Sequence, residues 1–348
     1  MGGVIHGGAQ DSELAALGLT AADVLDLSAN LHPAGPDPRV IEAARQADLD
    51  RYPDPAALPL RAAIARAHGL DPECVLATPG GTAGIHLVAR GLLDAGAAGS
   101  IIVPAFGEYV AAMAGVGATV TEVLTSPPRF RLDVDSLPQA AVTFLCNPDN
   151  PTGRDLSRDE VLRAVGLTRG TVVIDAAYEP FADRPPFASE IARSHPNVIA
   201  VHSMTKLHAV PGLRLGYIVA TPERIAQLSR LQHSWAIDAP SIAAGIEAAA
   251  QFEARRAMLV GMTATREALR SRWLTAGLDV APGAANFLLV KVGDARSVRR
   301  TLLAGRIVVR DASSFGLPEW IRVAVPSPQH QERIGAAVIS AAARDVTG

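Results

Sequence analysis

Lys206 is the side chain in this sequence whose type and setting most suggest chemistry. Of the 32 Lys and Arg residues, only Lys206 and Lys291 are lysines. A lysine amine can lose a proton and attack a carbonyl, whereas a guanidinium stays protonated. Lysine scarcity alone also fits the coding bias of an Ala-, Gly- and Arg-rich chain. Lys291, in the apparent strand 286–292, reads as an ordinary solvated residue. Lys206 differs in its company: Ser203-Met204-Thr205-Lys206, with Arg214 eight residues on.

Three further motifs sit where apolar runs stop. Asp175-Ala176-Ala177-Tyr178 follows the run 171–174; a carboxylate there is a loop cap or a catalytic group. Asn147-Pro148-Asp149-Asn150-Pro151-Thr152-Gly153 follows the run 142–146 and by itself is a turn. Pro79-Gly80-Gly81-Thr82 joins a strand to a helix, where backbone N–H groups and the positive end of the helix dipole suit a phosphate.

The elements that must position these residues alternate in type. Strands are predicted at 74–78, 100–104, 119–123, 142–146, 171–175, 198–202 and 215–220. Helices are predicted at 82–95, 108–116, 157–165 and 222–233, with Ser157 and Glu160 forming an S-x-x-E capping box. This alternation predicts an α/β fold with a mostly parallel sheet covered on both faces, and ligands at its strand ends. Residues 240–276 read as one long helix or two. A smaller α/β module follows, with strands at 287–292, 307–310 and 320–325 and helices at 297–303 and 328–344. The first 35 residues look irregular. The implied organisation is an N-terminal arm, 1–35, packed near a small domain, 241–348, beside a large domain, 36–240.

Taken together and in order, the motifs resemble the fold type I pyridoxal-phosphate enzymes, the aspartate aminotransferase superfamily, over almost the whole chain. The resemblance implies pyridoxal 5'-phosphate as cofactor, with Lys206 as the Schiff-base lysine. Asp175 is the implied partner of the pyridine nitrogen, and Tyr178 and Asn150 hold the phenolate oxygen. Ser203, Thr205 and Arg214 take the phosphate, with backbone groups of Gly81, Thr82 and Ala83. Tyr109 is placed where the family stacks an aromatic ring on the cofactor. Tyr52 matches a tyrosine that reaches the phosphate in a neighbouring subunit, which implies a homodimer with shared active sites.

The chain ends bear on the reaction. His6-Gly7-Gly8, Leu27-Ser28-Ala29-Asn30-Leu31-His32-Pro33, and the stretch from Arg310 to Arg322 resemble the L-threonine-O-3-phosphate decarboxylases of cobalamin biosynthesis. That family is closely related to the histidinol-phosphate aminotransferases. The first resemblance implies decarboxylation of L-threonine O-3-phosphate to (R)-1-amino-2-propanol phosphate, a lyase activity. The second implies an aminotransferase working with 2-oxoglutarate and glutamate. In either case a small phosphorylated amino-acid substrate meets His6, Asn30, Arg310 and Arg322, and the planar fork of arginine suits carboxylate and phosphate. The chain-end motifs make the decarboxylase the leading expectation and the aminotransferase its alternative; the two reactions differ by rotation about one bond of the substrate, which motif spacing does not resolve.

Composition removes other classes. At 348 residues the chain is long enough for about two domains. Its core is aliphatic, with 49% hydrophobic but only 4% aromatic residues. A net charge of −3 offers no case for nucleic acid or an anionic membrane. No secretory signal and no run of about 18 uncharged apolar residues is evident, so a cytoplasmic location is expected. Cys74 and Cys146 lack C-x-x-C spacing and read as buried thiols, and the histidines form no H-x-x-x-H pair, so no metal is expected.

Overall fold

A computed structural model describes residues 7–346. In chain order its strands are β1 (Leu25–Asp26), β2 (Val75–Thr78), β3 (Ala98–Val103), β4 (Thr119–Leu124), β5 (Val142–Cys146) and β6 (Thr171–Asp175). They continue with β7 (Val198–Ser203), β8 (Gly216–Val219), β9 (Phe287–Lys291), β10 (Ile307–Val308), β11 (Arg310–Asp311) and β12 (Trp320–Ala324). Seven form the central sheet in the order β2-β8-β7-β6-β5-β3-β4. The neighbours from β7 through β4 are parallel, whereas β8 runs antiparallel to both β7 and β2. The fold is α/β with a mostly parallel sheet, as the alternating pattern implies.

The strands are apolar throughout because both faces are covered. Successive side chains point to opposite faces. Val172 and Ile174 of β6 and Val198 and Ala200 of β7 therefore enter one buried cluster. Val173, Ile199 and Val201 enter the other. Each aliphatic side chain buried this way contributes about 1.5–3 kcal/mol. Helices Gly80–Leu92, Glu108–Gly115 and Arg158–Leu167 occupy the crossovers. The last begins with the expected capping box: Ser157 Oγ accepts from the Glu160 N–H, and the Glu160 carboxylate accepts from the Ser157 N–H.

Three elements depart from the sequence reading. The stretch 240–276 forms three helices, Ala239–Ala250, Phe252–Ala257 and Met262–Thr275. It breaks at Gln251 and again at Gly261, whose φ of +90° does not continue a right-handed helix. The strand expected at 307–310 is split into β10 and β11. The segment expected to be irregular holds helix Asp11–Ala16 and strand β1. β1 pairs in parallel with β10, so Leu25 lies beside Ile307.

A second, antiparallel sheet has the order β11-β12-β9. Its register places Arg310 directly opposite Arg322. Residues 25–32 run between the two sheets: Leu27 O accepts from the Ala324 N–H, and Lys206 O accepts from the His32 N–H. Among the described residues, no helix is long and apolar enough to cross a membrane, and no group of His, Cys, Asp and Glu could hold a metal ion.

Candidate active site

The carboxyl ends of β5, β6 and β7 open onto a cavity of about 400 Å³ lined by Asn150, Asp175, Tyr178, Ser203 and Lys206. Lys206 gets there because β7 ends at Ser203 and the chain turns at once into the short helix Met204–Leu207. Its Nζ donates to Ala29 O at 3.0 Å. Burial, with Arg322 and Arg214 adding positive charge nearby, pulls the amine from its usual 10.5 down to about 8. About a tenth is thus unprotonated at pH 7, far more than for an ordinary lysine, and able to act as a nucleophile or base.

Asp175 closes β6 and is buried. Burial pushes its carboxyl above the usual range, opposed by hydrogen bonds from Tyr109 and the Ala177 N–H. The Tyr109 hydroxyl donates to Asp175 Oδ2 at 2.6 Å, and its ring stacks on Phe144 at a centroid distance of 5.0 Å. Tyr109 therefore does not have the stacking place expected of it. It is packed behind the carboxylate, and Phe106, three residues earlier, lines the cavity instead. The chain enters helix Glu108–Gly115 between the two, so their rings leave in different directions.

Tyr178 lines the cavity and packs edge-on against Phe287. Burial pushes its hydroxyl upward in pKa, with Arg322 and Asn30 opposing. Asn30, expected to meet substrate, is not on the cavity wall: its Nδ2 donates to the Tyr178 hydroxyl at 3.3 Å. It adopts φ +53°, which asparagine tolerates better than most residues. Asn150 does face the cavity, where its Oδ1 accepts from Arg322 Nη1.

A phosphate-sized cradle lies at the other end. Gly80 has φ +82°, and a Cβ there would meet Arg214 Nη2 at 2.7 Å, so only glycine lets the guanidinium approach. Ser203 Oγ and Thr205 Oγ1 lie 2.8 Å apart beside it. Gly81 and Thr82 line the same wall, in the first turn of helix Gly80–Leu92; Ala83 follows them without reaching the cavity. Hydroxyls, guanidinium and a helix N-terminus together suit a dianion. Asp175 makes no salt bridge among the described residues, which leaves a buried acid suited to a protonated ring nitrogen. The residues fit pyridoxal phosphate.

The substrate side is formed by arginines. Arg322 is buried, its Nη2 donating to Ser28 O at 2.7 Å. Arg310 Nη2 donates to Ser314 Oγ at 2.6 Å, and its guanidinium lies 5.4 Å from the Phe315 ring centroid. Burial, then the charge of Arg322, lowers Arg310 to about 10. Phe315 and Gly7, which sequence reasoning did not single out, also line the cavity. A Cβ on Gly7 would lie 2.3 Å from Ser28 O, so the glycine of His6-Gly7-Gly8 was the available signal. His6 lies outside the described residues. Tyr52 is 81% exposed, away from this cavity, with its ring centroid 5.0 Å from that of Trp235.

The family model for aminotransferase class I and II matches residues 22–338, and the chain belongs to that family. It is 34% identical to a histidinol-phosphate aminotransferase of Stenotrophomonas maltophilia (strain R551-3), covering 83% of each chain. Histidinol-phosphate aminotransferase from Sinorhizobium meliloti, solved in complex with pyridoxal-5'-phosphate, superposes with a TM-score of 0.85 at 24% identity, covering 97% of this chain and 95% of that one. L-threonine-O-3-phosphate decarboxylase from Porphyromonas gingivalis gives 0.78 at 25% identity, covering 90% and 98%. These similarities favour the aminotransferase expectation over the decarboxylase one.

Proposed function

We propose that the chain is a pyridoxal-phosphate-dependent aminotransferase that takes an amino group from histidinol phosphate and passes it to 2-oxoglutarate. The observation that carries the reading is the placement of Arg310 directly opposite Arg322 at the cavity. Like charges directly opposite in a sheet are destabilising. An anion between them removes that cost. One donor with a phosphate and one acceptor with two carboxylates use the same two guanidinium groups in turn. The similarity to histidinol-phosphate aminotransferases supports this choice of donor.

Pyridoxal phosphate, when bound, supplies an aldehyde and an electron-withdrawing ring that accepts the electron pair of a bond breaking at the substrate carbon. The chain's own residues do the rest. Arg214, the hydroxyls of Ser203 and Thr205, and the backbone of Gly81 and Thr82 would hold the phosphate, without the expected help of Ala83. Asp175 keeps a proton on the ring nitrogen, and Tyr178 and Asn150 hold the phenolate oxygen. Lys206 carries the cofactor and then takes the proton from the substrate carbon that bears nitrogen. Arg322 and Arg310 would bind the anionic group of the substrate and so present this C–H bond to Lys206. Residues 36–240 form the large domain, 241–348 the small one and 1–35 an arm. Tyr52 serves the cavity of a second copy in a homodimer.

The test offers two substrates in parallel. Histidinol phosphate with 2-oxoglutarate should yield glutamate, and threonine phosphate should release no carbon dioxide. Carbon dioxide without glutamate would replace this reading with the decarboxylase.

A further inference from the structure

A second cleft, of about 570 Å³, shares no lining residue with the active-site cavity. It lies against the loop 147–154, which presents Asn150 to the active site and Arg154 to this cleft. Arg129, Arg131, Arg154 and Arg270 converge on it, against the carboxylates of Asp155 and Asp279. Asp155 is already held by Arg184, at 2.7 and 2.9 Å, so it offsets little of that charge.

Two of the arginines are incompletely bonded. Arg154 is 8% exposed; its Nη1 donates to Phe130 O at 3.2 Å, and its Nη2 stands 3.3 Å from Asp149 Oδ1. Its Nε and Nη2 are buried without a hydrogen-bond partner, as is Nε of Arg270. The ion pair of Arg270 with Glu267 is long, at 3.7 Å. Arg129 and Arg131 are exposed and engage no hydrogen bond or ion pair within the described residues. Buried donors without partners are rare, and each calls for an acceptor.

The floor of the cleft is close-packed backbone. A Cβ added to Gly153 would stand 3.0 Å from the Gly283 Cα, and the Ala284 N–H donates to Gly153 O at 2.9 Å. The loop is braced in turn by the Asp149 N–H donating to Arg154 O at 2.7 Å. The loop that carries Arg154 is thus a fixed frame on one side of the cleft, and planar guanidinium forks match tetrahedral oxyanions.

We propose that this cleft is a second anion site, taking phosphate or a phosphate monoester. The proposal is independent of the reaction assigned to Lys206.

Calorimetric titration of the holoenzyme at constant ionic strength tests it, using inorganic phosphate and glycerol 3-phosphate in separate arms. R129A/R131A changes only exposed side chains, and its melting temperature should match the wild type. It should lose one equivalent of bound anion, or bind it about tenfold more weakly, the weight of one charge-assisted hydrogen bond. R322A should retain that equivalent. Binding of both probes assigns any phosphate group; binding of one assigns its source. Equal stoichiometry and affinity in wild type and R129A/R131A would overturn the proposal, as would full competition by potassium chloride at the same ionic strength.

Discussion

The Tyr109 hydroxyl donates to Asp175 Oδ2 at 2.6 Å, and both groups are buried. The bond fixes the carboxylate at the end of β6 and favours its charged form, against a burial that pushes its pKa up. A hydrogen bond to a charged group contributes about 1.5–3 kcal/mol. Tyr109→Phe should therefore weaken cofactor retention or turnover roughly ten- to a hundredfold, with the melting temperature little changed. Equilibrium dialysis against pyridoxal phosphate, with kcat, checks this. Unaltered values would show that Asp175 is positioned by the Ala177 N–H alone.

Arg322, on β12, ties the loop after β5 to the segment after β1 at the cavity, bonding Asn150 Oδ1 and Ser28 O. Lysine retains the charge but not the two-pronged geometry. Arg322→Lys should raise KM for 2-oxoglutarate by about tenfold to a hundredfold, and Asn150→Ala should do so more mildly by loosening the guanidinium. A KM unchanged in Arg322→Lys, with kcat also unchanged, would remove Arg322 from substrate binding.

Burial and the charges of Arg322 and Arg214 bring the Lys206 amine down to about 8 in the cofactor-free chain. Deprotonation is required before it attacks an aldehyde, so the rate of covalent cofactor capture should rise with pH and level off above about 8. Stopped-flow absorbance on cofactor-free protein measures it. A rate that falls across that range would contradict the assignment, and Lys206→Ala should show no covalent capture at any pH.

His32, His202 and His208 are buried and His68 is half-buried. Burial lowers His32 and His68 to about 4 and His202 and His208 to about 3. The unfolded chain binds their protons below about pH 6.5, whereas the folded chain does not. Stability should therefore fall as pH drops from about 6.5 towards about 4, and urea unfolding at a series of pH values should show it. Buried Asp149, Asp175 and Glu179, whose pKa values are raised, oppose this slope, so the histidine share is read from a variant. His68→Gln should reduce the slope, since one buried ring fewer then discriminates.

Much of this was readable in the residues. The strand β6 and its terminal Asp175, and the capping box at Ser157, coincide with the apolar run and the cap signal that announced them. What was hidden depended on direction and distance. The reversed β8 has the same apolar pattern as its parallel neighbours, because a strand buried on both faces carries no mark of its direction. Phe106 and Tyr109 are both aromatic and three residues apart, and only the start of a helix between them decides which ring meets the cavity. Asn30 looked like a substrate ligand, but its contact is with Tyr178, 148 residues away. The second break in residues 240–276 turned on Gly261, a single residue within an otherwise helical pattern.

Amino transfer is tested most directly by the half-reaction. Histidinol phosphate added alone to the holoenzyme should bleach the visible band of the lysine-bound cofactor, one donor per site, and 2-oxoglutarate should restore it. A band that persists with histidinol phosphate, while threonine phosphate releases carbon dioxide, would contradict the account.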